Sequence, residues 1–189
     1  MTTTTTTDNQ PILTSLFPAS AARDLALVVG GSVLIAALSQ VQVPLQPVPI
    51  TGQTLGVFLV ALALGWRLGG AAVGLYLFYG AVGLPVFAGF AGGLAKFGGP
   101  TGGFLVGFFI AALAVGFLAD RGWTKRVALV ALAMVIGTVL IYIPGLLWLQ
   151  QFTGPKTLEL GLYPFLIGDA LKAVLAALLL PTAWRFVRR

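Results

Sequence analysis

The chain has 189 residues, 58% hydrophobic and only 8% charged, where a soluble domain carries about a quarter charged residues. That balance excludes a water-facing globule and requires an outer surface made for lipid. The absence of cysteine and histidine excludes disulfides, thiolate metal sites and imidazole chemistry, and the formal charge of +6 sits at the ends of apolar runs instead of among stacking aromatics, which argues against nucleic acid.

Residues 1–20 open on a threonine tract followed by Asp8, Asn9 and Gln10, with no basic region leading into an apolar stretch, and read as a disordered polar tail and not a signal peptide. A transmembrane helix needs about 17–25 mostly apolar residues. The first such run covers 25–43 and is stopped by Pro44, Pro47 and Pro49. The second begins near Gln53 and ends at Trp66-Arg67, an aromatic and a cation suited to the headgroup layer, with Gly69-Gly70 expected to make the turn. A third runs over 71–90 with Pro85 near its end, and a glycine-rich stretch, 89–103, follows. The fourth covers 102–118 and ends at Asp120-Arg121, and the fifth covers 127–149 with Pro144 inside. After a polar loop, 150–163, Pro164 opens a sixth run reaching Trp184. The expected fold class is an all-α membrane protein of six transmembrane helices, formed by one domain over 21–189.

Orientation follows from the cations. Arg23, Arg67, Arg121, Lys125, Arg126, Arg185, Arg188 and Arg189 fall on one side of such a six-helix layout. Lys96 and Lys156 fall on the other, and Lys172 lies inside the sixth run. By the positive-inside rule both termini are cytoplasmic.

Asp169 and Lys172 are the oppositely charged pair inside an apolar run. A bare charge at mid-bilayer costs several kcal/mol even on the lenient scale, so such residues need a reason. Their i, i+3 spacing puts them on one helical face, at the outer end of the sixth run. They read either as a polar substrate site or as a pair that merely neutralises itself. The segment 98–103, Gly-Gly-Pro-Thr-Gly-Gly, opens the fourth run. Its small residues and unpaired helix-start N–H groups suit a carboxylate, and equally an ordinary tight helix start. No Gly-Lys-Ser or Gly-Lys-Thr follows, so no phosphate-cradling loop is present and ATP binding by this chain is not expected. A third segment, 47–54, combines stiffening prolines with Thr51, Gln53 and Thr54, as a lid over an outer site would. In the first run, Ser32 and Ala36 with Ala22, Ala26 and Gly30 form a stripe of small residues, suited to packing within the chain or against a partner.

Taken together, the segments 49–55 (PITGQTL), 99–104 (GPTGGF) and 164–173 (PFLIGDALKA) resemble the BioY family, the biotin-specific substrate-binding subunits of energy-coupling factor (ECF) transporters. The resemblance runs in order along the chain after its tail. It implies high-affinity capture of biotin from outside a prokaryotic cytoplasmic membrane, with a transmembrane coupling subunit and two ATP-binding subunits as partners. It implies no cofactor, metal or catalytic residue. Carried onto this sequence, the substrate-binding positions are Asp169 and Lys172, with Gly99 and Thr101, and with Phe87 and Gln53 completing the set. Ser32 and Ala36 become the expected partner interface. Asp169 is expected to accept the ureido N–H groups of biotin and Lys172 to donate to the ureido oxygen, with the carboxylate at Gly99 and Thr101; contact of Lys172 with the carboxylate is the alternative. A secondary transporter of another small solute is the rival reading, but no internal repeat is visible. An intramembrane enzyme has little acid–base material to use, and a membrane scaffold would leave the charged pair purely structural.

Overall fold

A chain in hydrocarbon must satisfy each backbone N–H and C=O internally, which makes helices the dominant element here. The computed structural model describes residues 11–16 and 18–187. The threonine tract expected to be disordered, and Arg188 and Arg189, lie outside the described residues. Part of the expected tail is ordered: Ile12–Leu16 form a short helix, α1, whose Ile12 is buried. Then come α2 (Ala21–Ser39), β1 (Gln42–Val43), β2 (Ile50–Thr51), α3 (Gln53–Ala81), α4 (Ala95–Gly98), α5 (Gly102–Asp120), α6 (Val127–Thr153), α7 (Thr157–Gly161) and α8 (Tyr163–Val187). Among the described residues five helical stretches are long and apolar enough to cross a membrane: α2, α3, α5, the stretch Val127–Gly161 and Tyr163–Thr182.

The longest of these single helices, α3, is not one rod. Gly65 interrupts it at φ 78° and ψ −177°, a backbone state that a side chain strongly disfavours. Gln53 Nε2 donates to Tyr76 Oη at 2.6 Å, although 23 residues of unbroken helix would separate them by about 35 Å. At the other end of the pair, the Cβ position of Gly69 lies 2.9 Å from Ala61 Cα. The halves 53–64 and 66–81 therefore run antiparallel, side by side. The turn falls at Gly65 and not at Gly69-Gly70, because Asp120 occupies the space beside Gly65 and its Oδ2 accepts from Trp66 N–H at 3.3 Å, capping the second half.

Three other boundaries differ from the hydropathy reading. The third run does not reach Phe90: helix ends at Ala81, where Gly83 (φ 99°) and Pro85 turn the chain into an irregular segment closed by a Phe87–Ala91 bridge. The first run ends at Ser39, and Gln42–Val43 pair antiparallel with Ile50–Thr51 across the proline-rich loop, adding a small β-hairpin to an otherwise helical fold. The fifth run continues through Pro144 to Thr153.

The core lies where α3, α5 and α6 meet, around Val57, Phe58, Leu62, Val73, Tyr76, Ala111, Val115, Val130 and Met134. Small residues permit that closeness. At Gly107 an added Cβ would stand 2.8 Å from Ile141 Cα, so α5 and α6 touch backbone to backbone there. The outward faces of α2, α6 and α8 carry exposed Leu25, Val33, Val135, Leu147, Leu171 and Leu178, apolar surface that lipid covers.

This packing sorts the charges. Arg67 stacks on Trp66 and Arg121 on Phe117, beside the Gly65–Asp120 contact at the C-terminal end of α5. Asp169 and Lys172 line a cavity with Gly99 and Thr101 at the N-terminal end of α5, about 27 Å away along the helix.

Candidate substrate-binding site

Three helices build the polar centre. From α8, Asp169 Oδ1 and Lys172 Nζ lie 3.2 Å apart, with side-chain exposures of 16% and 13%. From α6, Tyr142 Oη donates to Asp169 Oδ2 at 2.5 Å. From the start of α3, Thr54 Oγ1 accepts from Lys172 Nζ at 2.7 Å. Each charge is thus neutralised and hydrogen-bonded, as burial of an ion pair requires. Capacity is left over. Lys172 has three N–H donors and spends two on these partners; Asp169 has about four acceptor positions and spends two.

The centre opens on a cavity of about 610 Å³, within the size range of small-molecule sites. Pro44, Pro47, Val48 and Pro49 of the hairpin loop cover one side, and Phe104, Phe108 and Ile141 form an apolar floor. Ala88, Ala91, Ala95 and Gly99 of the segment after α3 form another wall. That wall is fastened to α2. Ser39 Oγ donates to Val86 O at 2.6 Å, and Gln40 Nε2 donates to Phe87 O at 3.1 Å. Gln40 Oε1 accepts from Phe90 N–H at 2.9 Å.

All six residues expected to contact substrate line this one cavity. Phe87 is 4% exposed and packs edge-on against Tyr76 and Phe97, with ring centroids 5.5 Å and 5.8 Å apart. It therefore shapes the wall as well as facing the cavity. Gln53 is buried, with its amide N–H on Tyr76, so it orients the α3 hairpin at the cavity floor. Gly99 is held by its carbonyl, which accepts from Trp148 Nε1 at 2.9 Å and from Gly102 N–H at 3.0 Å. Thr101 precedes α5, and its hydroxyl makes no capping bond to the helix.

The small-residue stripe on α2 divides. Ser32 is 1% exposed and its hydroxyl donates to Val29 O at 2.8 Å, so it faces the interior; Ala36 is half-buried. Ala22, Ala26 and Gly30 are exposed. Two residues of helix turn the side chain through about 200°, which puts Gly30 and Ser32 on opposite faces. Of the two uses expected for the stripe, Ser32 is placed for packing within the chain.

Tyr142 and Trp148 belong to the site and were not singled out by sequence, whereas Thr54 falls in the 47–54 segment read as a lid. A phenol and an indole inside a 27-residue apolar helix were the available signal for Tyr142 and Trp148, because both need a hydrogen-bond partner when buried.

A model of the BioY family matches residues 5–189. The "Biotin transporter BioY" of Rhizobium etli is 39% identical over 169 residues, covering 83% of this chain and 90% of that protein. The "Probable biotin transporter BioY" of Pyrococcus horikoshii is 39% identical over 159 residues, covering 84% and 94%. Among solved structures, the S-component for biotin from an ECF-type ABC transporter superposes with a TM-score of 0.79 at 25% identity, covering 89% of this chain and 95% of that one.

Proposed function

This chain belongs to the BioY family, and from that premise we propose how it holds biotin in the cavity that Asp169 and Lys172 line. It is the substrate-binding subunit of a biotin uptake system, a multi-pass protein of the prokaryotic cell membrane and not an enzyme.

The observation that carries the pose is the residual hydrogen-bonding capacity of the charged pair. After its internal bonds, Lys172 keeps one donor and Asp169 two acceptor positions. A cyclic urea offers the complement: one carbonyl acceptor and two N–H donors. Asp169 takes the ureido N–H groups and Lys172 the ureido oxygen, each a charge-assisted bond of about 1.5–3 kcal/mol. The apolar thioether ring and methylene chain lie over Phe104, Phe108 and Phe87, and the carboxylate reaches Gly99 and Thr101 at the start of α5. A 19-residue helix directs the positive end of its dipole there. Equilibrium binding of biotin to purified Asp169→Asn and Lys172→Ala tests the pose. Wild-type affinity in both variants would place the ureido ring elsewhere.

The topology proposed with it is six crossings with both termini cytoplasmic. The break of α3 at Gly65 divides five long helical stretches into six. Arg67 and Arg121, at the end of α5 away from the cavity, support a cytoplasmic assignment for that end. Residues 21–189 then form one membrane domain. The partners proposed are a transmembrane coupling subunit and two ATP-binding subunits, and the exposed small-residue face of α2 at Ala22, Ala26 and Gly30 is the surface where another helix can approach closely.

A further inference from the structure

Three of the residues lining the cavity are charged: Lys96, Asp169 and Lys172. Asp169 and Lys172 cancel one another, which leaves the cavity one positive charge in excess, carried by Lys96. Lys96 is exposed, and among the described residues its ammonium group has neither a hydrogen-bond nor an ion-pair partner. It stands on α4, three residues before Gly99.

That position is held firmly. Gly93 N–H donates to Gly80 O at 2.7 Å before α4, Phe97 packs on Phe87, and Gly99 O accepts from Trp148 at 2.9 Å after it. Trp148 and Tyr142 also measure the site, since Tyr142 holds Asp169. Six residues of α6, about 9 Å of rise along its axis, separate Tyr142 from Trp148, so Asp169 and Gly99 are held at different levels of that helix. The cavity therefore has a neutral, bifunctional polar end at Asp169 and Lys172 and a singly positive one at Lys96.

The geometry points to Lys96 as a specificity residue that selects ligands ending in a carboxylate, an assignment that rests on the biotin pose proposed above. A monoanionic ligand restores neutrality, and its charged end lies beside Lys96 when its urea lies on Asp169 and Lys172. Because Lys96 is exposed, its ion pair is of the modest, salt-screened kind. Its effect falls on discrimination and on association rate more than on total affinity.

Purified full-length protein is titrated with biotin and with biotinamide, which carry a carboxylate and a neutral carboxamide at the chain end. Wild type is expected to prefer biotin by about five-fold, the scale of an exposed ion pair, with an association rate that falls as salt is added. Lys96→Gln lowers that preference several-fold, to what the α5 dipole alone supplies, and leaves biotinamide affinity where it was, and Lys96→Arg restores the preference. An unchanged preference in Lys96→Gln, or an equal loss for both ligands, overturns the assignment. Binding of neither ligand by wild type would instead overturn the biotin pose on which it rests.

Discussion

Replacing Asp169 by asparagine separates a gripping pair from a self-neutralising one. The asparagine oxygen can keep the contact to Lys172 while its N–H₂ donates to Tyr142 Oη, so the pair's geometry survives but the charge that accepted from both, at 3.2 Å and 2.5 Å, is gone. Two charge-assisted bonds to the ureido N–H groups weaken at the same time. At 1.5–3 kcal/mol for one such bond, the expected loss is about 3 kcal/mol, or roughly 150-fold in biotin affinity. Stability falls as well, since Lys172 is left 13% exposed without its counter-ion. The double variant Asp169→Asn/Lys172→Met removes that stability cost by removing the orphaned charge. Calorimetric titration beside a thermal unfolding curve then gives the answer. The double variant is expected to regain thermal stability without regaining biotin binding. Recovery of both would mean that the two charges serve only each other, and the reasoning would fail.

Other consequences are independent. Tyr142→Phe deletes the donor to Asp169 Oδ2 and is expected to lower biotin affinity about ten-fold, read by the same titration. Gly65→Ala forces a side chain into positive φ against Asp120 and Pro11; a cost of about 2–3 kcal/mol, or roughly 5–10 °C in Tm, is expected in a thermal scan. Ala26→Trp places bulk on the exposed face of α2 and is expected to reduce co-purification with the coupling subunit while biotin affinity of the isolated chain stays unchanged.

The lipid-facing surface and the charged pair were plain in the sequence, because a water-facing fold does not carry long unbroken apolar runs and a membrane helix does not carry an Asp–Lys pair without a use for it. Asp169, Lys172, Gly99, Thr101, Phe87 and Gln53 proved to share one cavity although they come from distant segments. Hydropathy could not reveal that residues 82–90 leave the helix, since apolar side chains that line a cavity and apolar side chains that face lipid look alike in sequence. The same holds for the turn at Gly65. Gly65, Gly69 and Gly70 lie within a few residues of one another, and the one that breaks is set by Asp120, which lies on another helix. Tyr142 was hidden for a related reason, its partner Asp169 being 27 residues away. Ser32 shows the converse limit, where a spacing compatible with an outward face belongs to a residue that is buried.

The most direct test of the central claim is a structure of the chain with biotin bound. The ureido ring is expected within hydrogen-bonding distance of both Asp169 and Lys172, with the carboxylate at the start of α5 beside Gly99. A ligand bound in the reverse direction, or outside the cavity altogether, would contradict it.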